Sequence, residues 1–195
     1  MVLGNEAHPL QRIWCLFEVK RAADFGAAFD LVMDDGPVAK APPDVVRALV
    51  ERLRGLRAVD ANASQERDKH MIRFRIMDRA ARQAVTKFDL FLMYARNGSV
   101  ESDWFGEFDD HVCALLGTPV LRAALETKDK ELALLALGLG ASVTAADLAA
   151  LRDELGADLT ADVETREGKC ALLPVVAKRR QADAVRFLLA GGADS

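Results

Sequence analysis

From Gly117 onward the chain is rich in Ala and Leu, and three Gly-Ala pairs, at 140–141, 156–157 and 192–193, cut that stretch into short pieces. Glycine adopts positive φ without steric penalty, so each pair predicts a helix stop and a reversal of the chain. Isolated short helices are marginal in water and gain stability by packing an apolar face. Helical hairpins stacked on one another are therefore expected here. Sliding the stretch onto itself by 52 residues aligns Leu121 with Leu173, Leu137 with Leu189, Gly140 with Gly192 and Ala141 with Ala193. On that offset the first unit opens at Gly117-Thr118-Pro119 and the last at Gly168-Lys169-Cys170, and the middle unit reduces to a single helix over 145–155.

The preceding half reads differently. Over 10–23 apolar residues lie nearly all round the helical wheel (Ile13, Trp14, Leu16, Phe17, Val19, Ala22), which predicts a largely buried helix ended near Gly26. The apolar run over 27–33, closed by Asp34-Asp35-Gly36-Pro37, predicts a buried strand and a turn. Pro42-Pro43 opens an amphipathic helix with Val45, Val46, Leu49, Val50, Leu53 and Leu56 on one face. Residues 57–60 are expected as a second short strand, and Ser64 or Asn62 as the cap of a helix reaching about Arg82 with Ile72 and Ile76 inward. A further helix over 83–96 should stop at Asn97-Gly98. The acidic stretch 101–110 carries Trp104, Phe105 and Phe108, and reads as a connector or helix able to dock on Arg73, Arg75, Arg79 and Arg82.

Charge and cysteine content narrow the function classes. Residues 1–98 carry 16 Lys+Arg against 13 Asp+Glu, and 99–195 carry 10 against 17, so neither half has the concentrated basic surface that nucleic acid demands. Cys15, Cys113 and Cys170 have no metal-ligand spacing and an odd count, which fits free thiols in a reducing compartment. His8, His70 and His111 stand far apart, so no metal site is expected. Neither a nucleophile elbow nor a phosphate-binding loop is present. No apolar stretch approaches membrane-spanning length, and a cytoplasmic location without membrane association is expected.

Two family resemblances attach to these residues. Gly117-x-Pro119 followed by Ala123-Ala124, and the helices leading into Gly140-Ala141 and Gly192-Ala193-Asp194, resemble the opening and closing elements of ankyrin repeats. Further upstream, Trp14-Cys15-Leu16-x-Glu18 resembles the Trp-Cys-Leu-x-Glu element of Toll/interleukin receptor (TIR) domains. Together with His8-Pro9-Leu10 and a segment from Val59-Asp60 through Ser64 to Asp68-Lys69, it is also similar to a family of multidomain protist proteins, over about residues 8–77. The TIR resemblance implies a flavodoxin-like α/β fold and, in NAD-cleaving members, a catalytic glutamate whose position falls on Glu18. Only nine residues precede Leu10, so the strands that would form the nucleotide cleft are expected to be missing. A glutamate without a ligand positioned against it does not cleave a glycosidic bond.

The resulting expectation is a mainly α chain with a small α/β part: a truncated TIR-like (flavodoxin-like) remnant over 1–98, an acidic connector or helix over 99–116, and ankyrin-like helical repeats over 117–195. The expected role is noncatalytic protein–protein interaction, as a scaffold in signalling, with a protein partner and no cofactor. Contacts are expected at the repeat turns, at Glu126, Lys128, Asp129, Lys178, Arg179 and Arg180. One alternative is NAD cleavage through Glu18 if another polypeptide completes the cleft. The other is a gene fragment with no function of its own.

Overall fold

The computed structural model describes residues 2–4, 7–27, 30–81 and 100–191. The described part is mainly helical, with two small antiparallel two-stranded sheets. It divides into two compact units, neither continuous in sequence: one within Met1–Glu6, Phe29–Gly55 and Cys113–Ser195, the other within Ala7–Ala28 and Leu56–Val112.

In the second of these units a 3-10 turn, His8–Gln11, leads into α1 (Ile13–Asp24), which packs on α3 (Glu66–Ala81). Ile13, Leu16 and Val19 are buried along one stripe of α1, and Gly26 beyond its end has φ +71°. Residues 57–60, expected as a strand, instead form a 3-10 turn over Ala58–Asp60. Their backbone groups are satisfied by side chains and local turns rather than by a ladder. The Ala58 amide donates to Asp109 Oδ1 at 2.9 Å, the Arg73 guanidinium donates to Val59 O, and the Asp60 amide donates to Arg57 O. Asp109 is the one buried charged residue among those described, and this amide gives its carboxylate a buried donor. The acidic stretch that carries it is helical, opening α4 (Val100–Thr127), with Phe105 and Phe108 buried. The helix expected over 83–96 and its Asn97-Gly98 stop lie outside the described residues.

The other unit begins with a minimal sheet. β1 (Val32–Met33) pairs antiparallel with β2 (Gly36–Pro37), and Val2 bridges Val32 in parallel. Of the described residues in the strand expected over 27–33, Val32 and Met33 are in the ladder, and Asp34-Asp35 and Gly36 at φ +112° turn the chain directly after them. Next comes α2 (Pro43–Arg54), which buries Val46, Leu49, Val50 and Leu53 as its spacing predicts. The carboxyl-terminal half of α4 belongs here, followed by α5 (Lys130–Gly138), α6 (Ala145–Asp153), the hairpin β3 (Asp162–Thr165) and β4 (Gly168–Ala171), α7 (Leu172–Lys178) and α8 (Ala182–Ala190).

Pro119 does not open a helix, as the Gly117-Thr118-Pro119 reading expects; it lies inside α4. An internal proline deletes one backbone bond at a cost of about 3 kcal/mol. Burial of Cys113, Leu116, Val120 and Leu121 around it, at roughly 1.5–3 kcal/mol for a large aliphatic side chain, outweighs that cost. Thr118 adds a local bond, its hydroxyl donating to Ala114 O at 2.9 Å while accepting the Ser142 amide. Gly117 serves close packing instead of a turn. A Cβ there would stand 3.2 Å from Leu139 Cβ and 3.4 Å from Ala136 O.

Candidate functional site

Helix pairing in this unit differs from the 52-residue correspondence. Helix α5 packs on α7 and α6 packs on α8, with the β3–β4 hairpin between the two pairs in sequence. In these contacts α5 corresponds to α7 and α6 to α8, and the single helix expected over 145–155 is α6. The hydrogen bonds of the two turns agree. After α5 the Gly140 amide donates to Leu137 O at 2.8 Å and Ala141 to Ala136 O; after α7 the Arg180 amide donates to Ala177 O at 2.9 Å and Gln181 to Val176 O. Both are Schellman-type closures with a left-handed residue, Gly140 at φ +78° and Arg180 at φ +57°. A third left-handed turn, at Lys128 with φ +57°, joins α4 to α5. Its similarity to the turn at Arg180 explains why an offset of 52 gives a local match without giving the stacking.

The two pairs are fastened through these turns. Gln181 Oε1 accepts the Val143 amide at 3.1 Å, and its Nε2 donates to Ala141 O at 3.4 Å. A Cβ on Gly140 would lie 2.8 Å from Arg179 Nε. Of the six expected contact residues, Glu126, Lys128, Lys178 and Arg180 are exposed, and Asp129 and Arg179 are half-buried. Asp129 is already engaged: it caps α5 by accepting the Leu132 amide at 3.0 Å and pairs with Arg47 of α2 at 3.0 Å. The six do not form one cluster. Lys128 and Asp129 stand at the start of α5, whereas the Arg179–Gln181 turn lies against the loop that follows α5.

Sequence reasoning missed the hairpin as a feature of this surface. β3 lies along α5, and a Cβ on Gly138 would fall 1.9 Å from Glu164 O, so the strand backbone sits in a notch that only glycine leaves open. At the hairpin's far end Arg54 of α2 pairs with Glu164 at 2.9 Å, and Arg166 Nε donates to Arg54 O at 3.2 Å. The signal was present in the sequence. Val163 and Thr165, separated by two polar residues from Gly168, are a hairpin pattern.

The Trp14–Glu18 element lies in the other unit. Trp14 and Cys15 are half-buried and Glu18 is exposed. The cationic residues near Glu18 in sequence have other contacts: Lys20 with Asp24 at 2.7 Å, Arg21 over the Phe25 ring, and Arg12 with the Ser64 hydroxyl at 3.0 Å. The Ile13 amide donates to Asn62 O, and Asn62 in turn donates to Gln11 O. Burial pushes the Cys15 thiol above its ordinary range, against the opposing pull of Arg12 and with some help from Glu18. Among the described residues no group of three or more His, Cys, Asp or Glu is placed to hold a metal ion, and no helix is long and apolar enough to cross a membrane. No protein-family model matches this chain, and neither a curated protein nor a solved structure shows significant similarity to it.

Proposed function

We propose that this chain is a noncatalytic protein–protein interaction module built on ankyrin-like helical repeats, with a protein as its partner. The reading rests on like packing against like: first helix on first helix (α5 on α7) and second on second (α6 on α8), with a hairpin leading into the last pair. A stack of this kind presents a continuous surface of turns and first helices, which suits binding of another chain. The exposed charges at its turns, Glu126, Lys128, Lys178 and Arg180, supply orientation and specificity more than raw affinity. The inference passes from architecture to role, so it needs a direct test.

That test compares proteins retained from an extract of the source cells by the immobilised chain and by a charge-reversed E126K/K128E/K178E/R180E chain, followed by titration of a recovered partner against both. A partner bound by the first and at least tenfold more weakly by the second is expected. Equal retention by both would remove the turns from the reading. Nicotinamide release from NAD, abolished by Glu18→Gln, would replace it with the enzymatic alternative. A cooperative thermal melt separates a folded module from a gene fragment.

A further inference from the structure

The first helices of the repeat-bearing unit form a row, with α2 on α5 and α5 on α7. The β3–β4 hairpin lies over this row, and three features grip it there. Val163 is 4% exposed while its neighbours Asp162 and Glu164 are not buried, so one side chain of the strand is driven inward. The backbone of Glu164 fills the Gly138 notch. The Glu164 carboxylate meets Arg54, and Arg166 lies on Arg54 O at the end of α2, where helical carbonyls lack intrahelical partners. Helix α5, with Leu134 and Leu135 half-buried, thus carries a shallow groove that takes an extended backbone, one apolar side chain and, next to it, one carboxylate.

We propose that this groove is a peptide-binding site for an extended segment in which an apolar residue is followed directly by an acidic one, and that β3 is its intramolecular occupant. The proposal deepens the interaction reading above and depends on it for a partner. Its physical basis is how little apolar side chain the hairpin itself buries. A two-stranded hairpin has marginal stability of its own, and here it gains one buried valine. Glu164 is 47% exposed, so its pair with Arg54 is screened by solvent. Displacement exchanges one extended segment for another. The partner segment replaces the backbone in the notch, the apolar side chain and the ion pair, and the freed hairpin remains tethered between α6 and α7.

The probe is a fluorescein-labelled peptide with this chain's own sequence over 160–169, titrated by anisotropy against the wild-type chain and against V163S/E164S. That double substitution loosens β3 and leaves Gly138 and Arg54 in place. Binding to V163S/E164S at least tenfold tighter than to the wild type is expected, with loss of that gain when glutamine replaces the peptide's glutamate at the Glu164 position. Equal binding to both chains, with helical circular dichroism retained, overturns the proposal. Should the double variant fail to fold, hydrogen exchange on the wild-type chain decides. Hairpin amides must open far more often than those of α5 and α7, and exchange only through global unfolding refutes a displaceable strand. Neither readout uses the turn charges, so failure of the charge-reversal experiment would leave this one interpretable.

Discussion

The turn after α5 and the turn after α7 share a backbone conformation and a hydrogen-bond pattern, yet one has glycine at its left-handed position and the other arginine. Left-handed φ alone therefore does not dictate glycine; the surroundings do. A side chain on Gly140 would run into the Arg179 guanidinium, which the neighbouring turn lays across it. Arg180 is exposed, and its side chain leads into solvent. The inner turn of the pair is thus fixed by conformation and by packing, whereas the outer turn answers to conformation only. The two second helices show a parallel contrast. Thr144 and Asp147 form a capping box at α6, while Gln181 at the start of α8 makes no side-chain cap and spends its amide on Ala141 and Val143. The outer pair gives up local optimisation for attachment to the inner one.

The largest effect is expected just before the inner turn. Gly138→Ala places a methyl 1.9 Å from Glu164 O, so β3 must move or α5 must tilt. Overpacking of this kind costs about 1–3 kcal/mol, with the free energy of lifting β3 off α5 as its ceiling. A urea melt measures it, and an unchanged midpoint would mean that β3 is not seated on α5. Next in size is Gly140→Ala, which combines left-handed strain of about 1–2 kcal/mol with displacement of Arg179. Truncating the obstacle separates the two parts: in an Arg179→Ala background the same substitution should retain the strain and lose the clash.

How much of this was legible in the sequence follows from the same contrast. Helix stops at Gly26 and Gly140, the buried stripe of α2 and the mainly helical character follow from short-range signals, whereas α1, expected to be largely buried, buries only Ile13, Leu16 and Val19. The partner of each helix does not follow from such signals. Pro119 reads as an opening turn until the buried flanks of α4 are known, and residues 57–60 read as a strand until Asp109, 51 positions away, takes the Ala58 amide. Gly138 looks like part of a loose Gly-Leu-Gly end, and nothing nearby in sequence shows that a strand 26 residues later rests on it. The expected contact residues follow from where the ankyrin-like reading puts its turns. Arg54, Glu164 and Arg166 meet only through tertiary packing and escaped notice.

Smaller substitutions sharpen the comparison. Thr144→Ala removes the capping box of α6 and should cost about 1 kcal/mol in the same melt. Gln181→Ala removes no cap from α8, so a comparable loss there would come entirely from the bonds to Ala141 and Val143. Arg180→Gly is expected to act in the opposite direction. Relief of left-handed strain, about 1–2 kcal/mol, is offset by the roughly 0.5–1 kcal/mol of extra chain entropy that glycine brings to the unfolded state. A net gain of about 0.5 kcal/mol should appear, and Lys128→Gly should behave alike. A loss in both would show that these side chains hold their turns through contacts worth more than the strain.

The smallest expected effect concerns acid stability at the turn that closes the inner pair. Asp158 follows Gly156-Ala157, and its carboxylate accepts bonds from the Thr160 hydroxyl at 2.7 Å and the Thr160 amide at 2.9 Å, which hold its pKa below the ordinary value. Asp153 shifts the same way through its bond to Arg152. A folded pKa below the unfolded one means that the stabilisation is fully present above the unfolded pKa, near 3.9, and disappears as pH falls through the folded value. Both groups are fully exposed, so salt should weaken the effect further. The corresponding Gly192-Ala193-Asp194 lies outside the described residues, so the comparison turns on the inner site alone. Between pH 6 and pH 3 the wild-type chain should lose slightly more thermal stability than D153N/D158N, and the gap should narrow in 1 M salt. A wider fall in the double variant would reverse the sign assigned to these carboxylates and point to unfavourable burial in place of hydrogen-bonded stabilisation.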